Sequence, residues 1–311
     1  METIERRMGS RYLVTPVEKE RFLRDGYIHL QGVLSESEVE EIEAVYERFL
    51  RREIAVPGRD FCDMSGDYQK SFEQFSIINV MLPRRYFPAW QGNIYEQRAA
   101  SIAEQLSGTG MVIDYDQLLA KRPGKDDAIF LWHQDMAYWV DTRDTRTATC
   151  WLAVDESTIE NGCMRFVAGS HLEPRLRPHL ALGGDRAKSH TLYTEIDEAR
   201  ENVRYVPIRR GDITVHNERV IHGSGGNHSR SWRRAYIVAF RSQETVAEER
   251  SRGFTHSHND EQSVLTQVGI QGETRGSAPT VIPAKAGMKI PEAGGRDDPA
   301  IGASFRRGSR L

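Results

Sequence analysis

The sequence predicts a mainly β domain preceded by helices. Residues 111–240 hold short runs of β-branched and aromatic residues separated by turn signals, a pattern typical of an antiparallel sandwich or barrel. The segment before them carries helix-capping sequences. With 311 residues, 39% hydrophobic and 28% charged, the chain is long enough for one globular domain with a buried active site.

Residues 15–107 form the predicted helical front end. Thr15-Pro-Val-Glu18 places a capping hydroxyl, a proline and a glutamate where a helix begins, and this helix runs to about residue 24. Alternation over 27–34 predicts a strand, and Ser35 with Glu38 forms a second capping box before apolar residues at helical spacing. We predict a further helix over 93–107, and loops with one helix at 69–82 between residues 51 and 90.

The β-like runs define the core of the predicted domain. They cover residues 111–120, 128–140, 147–154, 163–168, 203–208, 213–216 and 233–241. The polar stretch 171–200 is long enough to be a functional insertion over a site. After about residue 245 the pattern fades, and residues 271–311 hold 7 Gly and 4 Pro. We therefore predict one domain over 1–245, with its β core at about 111–241, and a partly disordered C-terminal extension over 246–311.

Composition excludes several classes of partner. The 42 Lys and Arg are balanced by 45 Asp and Glu, for a net charge of -3, which does not suit nucleic acid. Apolar runs fall short of the roughly 20 residues that cross a bilayer, and residues 1–14 lack the apolar stretch of a signal peptide. Three irregularly spaced cysteines, Cys62, Cys150 and Cys163, predict buried or incidental thiols. We expect a cytoplasmic protein that binds neither nucleic acid nor a membrane; its oligomeric state stays open.

A candidate metal site begins at His133 and Asp135. The two lie two residues apart in the run from Phe130 to Trp139, which is predicted as a strand, so both would project to the same side. Two imidazoles and a carboxylate on one face of an octahedron leave room for a bidentate co-substrate and O2. His222, after an apolar segment and before a turn, is the best candidate for the second imidazole. Because His-x-Asp also occurs by chance, a structural role for His133 is the alternative.

The wider pattern resembles the phytanoyl-CoA dioxygenase family of Fe(II)/2-oxoglutarate-dependent oxygenases. The resemblance covers roughly residues 15–241 and excludes the tail. Its motifs stand in one order: His133-Gln-Asp135, Trp151, Asn161-Gly-Cys163, Gly169-Ser-His171, Gly211-Asp212, His222-Gly-Ser224, Asn227 and Arg233. The resemblance implies a double-stranded β-helix, a cupin-like jelly-roll of two facing antiparallel sheets with supporting helices.

The resemblance also implies roles for individual residues. His133, Asp135 and His222 would be the iron ligands, and Arg233, eleven residues after His222, would bind the far carboxylate of 2-oxoglutarate. Arg234 would face the opposite way on a strand. The other expected co-substrate contacts are Ser224, Trp151 and Gln117, although Trp151 could be ordinary core and Gln117 a cross-strand surface residue.

The substrate is less defined. Tyr138 and Trp139 follow the metal strand toward the mouth of the barrel, and one of Met164 and Arg165 is expected to face the cavity. The implied reaction hydroxylates an unactivated C–H bond of a small-molecule metabolite or natural-product intermediate, using Fe(II), 2-oxoglutarate and O2 and releasing succinate and CO2. The same ligands serve desaturation, epoxidation and rearrangement, and a non-catalytic metal-binding β-barrel is the alternative class.

Other polar residues have structural interpretations. His171 is predicted to cap a loop, His228 to be exposed in a turn, and Asn161 and Asn227 to stabilise turns. His216 lies six residues before His222, on a face that the sequence leaves open.

Overall fold

A computed structural model describes residues 5–260 of the chain. Within that range there are five α-helices: α1 Pro16–Asp25, α2 Glu36–Leu50, α3 Pro83–Tyr86, α4 Ile94–Ser107 and α5 Gln243–Ser251. The strands of the same range are β1 Arg7–Met8, β2 Arg11–Tyr12, β3 Tyr27–Leu30, β4 Phe61–Asp63, β5 Ile77–Met81, β6 Met111–Lys121, β7 Phe130–His133, β8 Thr147–Ala153, β9 Met164–Val167, β10 Leu180–Ala181, β11 Leu192–Tyr193, β12 Val203–Val206, β13 Ile213–His216, β14 His222–Ser224 and β15 Arg233–Ser242.

Two antiparallel sheets form the body of the domain. The larger has the order β3-β13-β8-β15-β6-β5-β4, and the smaller has the order β12-β9-β14-β7. The pairs β1-β2 and β10-β11 form separate ribbons. This arrangement confirms the predicted mainly β, jelly-roll fold.

Strand alternation divides the larger sheet into an outer and an inner face. On the outer face, residues such as Leu118 and Tyr236 pack in one apolar cluster with side chains of α2 and α4. On the inner face, Trp151 and Ile237 pack in a second cluster with Phe166 of the smaller sheet. The helices therefore cover the outside of the sheet, and the space between the sheets is left for a site.

Both helix-capping predictions are confirmed, and one predicted helix is wrong. Thr15 and Ser35 each form a complete capping box. The helix expected at 69–82 is instead a short 3-10 turn at Phe72–Gln74 followed by strand β5, in which all five residues are buried. A strand buried on both faces lacks polar alternation, so its apolar run cannot be distinguished from a helix segment by period alone.

The predicted extension after residue 245 is described as far as residue 260. Helix α5 buries Thr245 and Glu249, and His256 beyond it is only 2% exposed. Residues 246–260 of the predicted extension therefore pack onto the domain, and residues 261–311 lie outside the described range. Across residues 5–260 no helix has the length and apolarity required to cross a membrane.

Candidate metal centre and co-substrate pocket

Two neighbouring strands and one turn bring the three predicted ligands together. Pairing of β14 with β7 places His222 opposite His133. After β7 the chain enters a 3-10 turn at Asp135–Tyr138, and Asp135 Oδ1 lies 3.3 Å from His133 Nε2 and 3.4 Å from His222 Nε2. The continuous strand predicted through Trp139 is therefore wrong, because the turn and not strand alternation directs Asp135 toward the imidazoles.

The protonation of the imidazoles fits a metal between these atoms. His133 Nδ1 lies 2.7 Å from the Leu131 carbonyl and His222 Nδ1 lies 3.0 Å from the Val220 carbonyl. Carbonyls only accept hydrogen bonds, so each Nδ1 donates and each neutral ring keeps a lone pair on Nε2. Burial, followed by the nearby His222, lowers the pKa of His133, which favours the neutral form.

The two Nε2 atoms and Asp135 Oδ1 are then all hydrogen-bond acceptors that point at one another. Such atoms repel one another unless a cation lies between them. Adjacent ligands of an octahedral ion with bonds of about 2.1 Å lie about 3.0 Å apart, close to the separations seen here. Two imidazoles and one carboxylate are the donor set of a facial triad for non-haem Fe(II). The residues present thus fit an iron ion.

His216 contacts the oxygen of the Asp135 carboxylate that does not face His133 and His222. The side chain of this residue of β13 is 2% exposed, and its Nε2 lies 3.1 Å from Asp135 Oδ2. One carboxylate oxygen is therefore held by His216 while the other faces the two ligand imidazoles.

Arg233 lies at the start of β15 on the inner face of the larger sheet. It is 2% exposed, and within residues 5–260 its Nε and Nη1 have no hydrogen-bond partner. Its guanidinium carbon lies 5.2 Å from the Trp151 ring centroid. Burial lowers the pKa of Arg233 to about 10, so it stays charged at neutral pH. A buried, unpaired cation is costly, and a guanidinium suits bidentate pairing with a carboxylate.

The pocket that contains Arg233 reaches the metal ligands. Its lining residues include Gln117, Trp151, Ser224 and Met164. The first three, together with Arg233, are the residues predicted to contact the co-substrate, so that whole set lies in this pocket. Gln117 Nε2 donates to Asn79 Oδ1 over 2.7 Å, which holds the amide in place.

Arg234 lies on the outer face of the same strand. It forms ion pairs with Asp155 at 2.7 Å and with Glu43 and Glu47 of α2. Strand alternation thus sends the two consecutive arginines to different environments.

A second cavity shares His133 and Asp135 with the pocket that contains Arg233. Its walls are mainly aromatic and apolar and include Tyr138, Trp139, Tyr115, Met81, His190 and His256. Tyr138 and Trp139 therefore lie where the sequence predicts the substrate.

Met164 and Arg165 are consecutive residues of β9, and their side chains lie on opposite faces of that strand. Met164 faces the Arg233 pocket, whereas the Arg165 guanidinium pairs with Glu198 at 2.9 Å and lies 4.2 Å from the centroid of the Trp132 ring. We therefore place Arg165 outside the substrate cavity.

Sequence reasoning missed His190 and His256. His190 lies in the polar stretch 171–200, where its ring stacks on Tyr138 with a centroid distance of 5.1 Å, and burial lowers its pKa well below the usual range. His256 follows α5, and its Nε2 lies 2.9 Å from Asp114 Oδ2. Both belong to irregular segments in which no period marks an inward residue.

The remaining candidates have structural contacts. His171 Nε2 lies 3.1 Å from the Leu23 carbonyl, and His228 pairs with Asp126 near the surface. Asn161 and Asn227 bond to backbone atoms of their own turns. The three cysteines are buried and unpaired, as expected.

Comparisons with known proteins agree with this geometry. Peroxisomal phytanoyl-CoA dioxygenase of Mus musculus is 24% identical over 241 residues, which cover 74% of this chain and 70% of the mouse protein. The structure of EvdO2 from Micromonospora carbonacea var. aurantiaca, complexed with 2-oxoglutarate, has a TM-score of 0.59 and 28% identity, covering 76% of this chain and 94% of that one.

A further solved structure is the epimerase SnoN in complex with Fe3+, alpha-ketoglutarate and nogalamycin RO. It has a TM-score of 0.55 and 26% identity, covering 73% of this chain and 82% of that one. The sequence profile of the phytanoyl-CoA dioxygenase (PhyH) family matches residues 22–235, a range that includes the three clustered ligands and Arg233. The chain therefore belongs to the phytanoyl-CoA dioxygenase family.

Proposed function

We propose that this protein hydroxylates an unactivated C–H bond of a small-molecule metabolite or natural-product intermediate, with release of succinate and CO2. Its family makes it a dioxygenase that depends on iron, 2-oxoglutarate and O2. The observation that carries the proposal is one pocket that holds both a convergent two-histidine, one-carboxylate set and a buried arginine, two of whose nitrogens have no hydrogen-bond partner among residues 5–260.

Different residues of the pocket would bind the metal and the co-substrate. His133, Asp135 and His222 would hold Fe(II), which when bound supplies the activation of O2 for C–H oxidation. Arg233 would pair with the far carboxylate of 2-oxoglutarate and Ser224 would add a hydroxyl contact, with Trp151 packed against the guanidinium. Because the arginine and the ligand set belong to one pocket, this grip orients the keto acid toward the ligands.

The second cavity would hold the substrate. Tyr115, Tyr138 and Trp139 provide apolar surface beside the ligand Asp135, which suits the carbon skeleton of an organic molecule. A substrate that fills this space excludes water from the metal ligands and places a C–H bond beside them.

The test is turnover by the iron-loaded protein. Incubation with Fe(II), 2-oxoglutarate and air should release succinate, and a library of small metabolites should yield a product heavier by one oxygen atom. His133→Ala, Asp135→Ala and His222→Ala should each abolish succinate release, because a three-ligand site that loses one ligand holds Fe(II) poorly. His171→Ala, a control outside both cavities whose ring contacts the Leu23 carbonyl, should retain it.

Other products would redirect the proposal. A substrate that is consumed without a change in mass would indicate epimerisation or rearrangement, an outcome favoured by the similarity to the epimerase SnoN. Loss of two hydrogens would indicate desaturation. Binding of Fe(II) and 2-oxoglutarate without any succinate would indicate a non-catalytic barrel, and full activity in any ligand variant would remove that residue from the site.

A further inference from the structure

A buried lysine lies beside the proposed co-substrate arginine. Lys121 ends β6 and is 0% exposed, and the pairing of β15 with β6 places it directly opposite Arg233. Its Nζ donates to Ser224 Oγ over 2.6 Å and also to the Gly225 carbonyl. Its polar contacts are therefore made to the end of β14, which carries the predicted serine of the pocket, and to the residue that follows it.

Neither cation has an acidic partner. In the described part of the chain no carboxylate forms an ion pair with Lys121 or Arg233, whereas the nearby Arg165 pairs with Glu198. Buried charges in proteins are normally paired, because removal from water costs several kcal/mol per ion. Two adjacent buried cations without an acid indicate that the missing negative charge comes from a bound anion.

The hydrogen bond between Lys121 and Ser224 also restricts the orientation of the Ser224 hydroxyl group. An ammonium group can only donate, so the Ser224 oxygen must accept in this hydrogen bond. The hydroxyl hydrogen of Ser224 is then free to point elsewhere. Ser224 lines the same pocket as Arg233, so this hydrogen can be donated to an anion held there.

The surroundings keep water away from the ammonium. A Cβ built on Gly162 would lie 2.9 Å from Lys121 Nζ and 2.8 Å from the Gly226 carbonyl. The turn at Asn161 and Gly162 therefore closes tightly over the lysine and the loop after β14.

We propose that Lys121 is a positioning residue of the co-substrate site, which holds the Ser224 hydroxyl for donation to the far carboxylate of 2-oxoglutarate and adds a second positive charge beside Arg233. This inference rests on the proposed function, since it takes 2-oxoglutarate as the anion. It assigns to Lys121 a role in binding and not in the oxidation itself.

Protonation of Lys121 gives the proposal a measurable signature. Burial, followed by the charges of Arg233 and Arg165, holds the pKa of Lys121 well below its usual range, and the Cys163 thiol also faces it. Bound carboxylate favours the charged ammonium. Affinity for 2-oxoglutarate should therefore fall as the pH rises through the pKa of Lys121 in the free protein.

Calorimetric titration of 2-oxoglutarate into anaerobic, Fe(II)-loaded protein tests this. Lys121→Met should weaken 2-oxoglutarate binding by about tenfold or more, as expected for a lost charged hydrogen bond, while Fe(II) affinity without 2-oxoglutarate stays unchanged. Arg122→Met is the matched control, because the Arg122 guanidinium lies over the rings of Phe72 and Trp232; it should bind as the wild type does.

The conservative variant separates positioning from structural support. An arginine remains charged, so Lys121→Arg should restore part of the affinity and flatten its dependence on pH. If Lys121→Met binds normally, or if wild type and Lys121→Arg share one pH profile, Lys121 only supports the loop and the inference fails. The pH comparison stands even if Lys121→Met does not fold. Wild-type protein that binds Fe(II) but not 2-oxoglutarate would overturn the proposed function and this inference with it.

Discussion

Replacement of Arg233 by leucine should separate co-substrate binding from both metal binding and stability. The far carboxylate of 2-oxoglutarate must be buried to share a pocket with the metal ligands, and a buried carboxylate without a partner is strongly disfavoured. Removal of one partner of a buried pair costs about 3–5 kcal/mol, which corresponds to roughly two to four decades of affinity. Arg233→Leu should therefore raise the Kd for 2-oxoglutarate at least about a hundredfold.

The same substitution should leave the free protein as stable as before. Arg233 is 2% exposed and two of its nitrogens lack hydrogen-bond partners within residues 5–260, so leucine removes an uncompensated charge from the interior. Arg234→Leu should behave in the opposite way. It leaves Asp155, Glu43 and Glu47 without their shared cation, so the Tm should fall while 2-oxoglutarate binding stays normal.

The assay is the visible absorption of the anaerobic Fe(II) protein as 2-oxoglutarate is added, together with thermal unfolding of the metal-free variants. Fe(II) affinity measured without 2-oxoglutarate should be nearly equal in both variants and the wild type. A large loss of 2-oxoglutarate affinity in Arg234→Leu, with normal binding in Arg233→Leu, would refute the assignment of the inner face of β15.

Two further substitutions test the support of the site. His216→Phe removes the hydrogen bond to Asp135 Oδ2, so Fe(II) affinity should fall about 10- to 100-fold in an equilibrium metal titration; an unchanged affinity would show that this contact does not position the carboxylate. Gly162→Ala places a Cβ at a φ of +81° against neighbouring backbone, whereas Gly183→Ala meets no atom within 4 Å at a φ of +69°. Chemical denaturation should show a clearly larger loss of stability for Gly162→Ala, by about 1 kcal/mol or more, and equal losses would contradict the close packing over Lys121.

Several features could be predicted because their causes are local in the sequence. The capping boxes at Thr15 and Ser35 depend on residues three positions apart, and both helices begin where expected. The family resemblance indicated Arg233, and strand alternation then assigned Arg234 to the opposite face. The order of the motifs around His133 and His222 indicated the family and its fold without information on distances.

Predictions from local patterns were wrong where two kinds of secondary structure have the same sequence pattern. The apolar run of β5 suits a helix as well as a buried strand, and its position between β4 and β6 in the larger sheet decides between them. The run after His133 is equally ambiguous, since the turn at Asp135–Tyr138 leaves no mark that separates it from a continuous strand.

The sequence by itself therefore determined the fold class, and it named the three residues that cluster as proposed iron ligands and the buried arginine of the same pocket, because each follows from short-range periodicity or from one ordered set of motifs. Only the tertiary structure placed His216 next to Asp135, Lys121 against Ser224 and His256 in the wall of the cavity that contains Tyr138 and Trp139. These contacts join residues 81 and 103 positions apart in the first two cases. Such pairs are set by the register between strands and by the packing of the two sheets, and neither is encoded in the local pattern around any one residue.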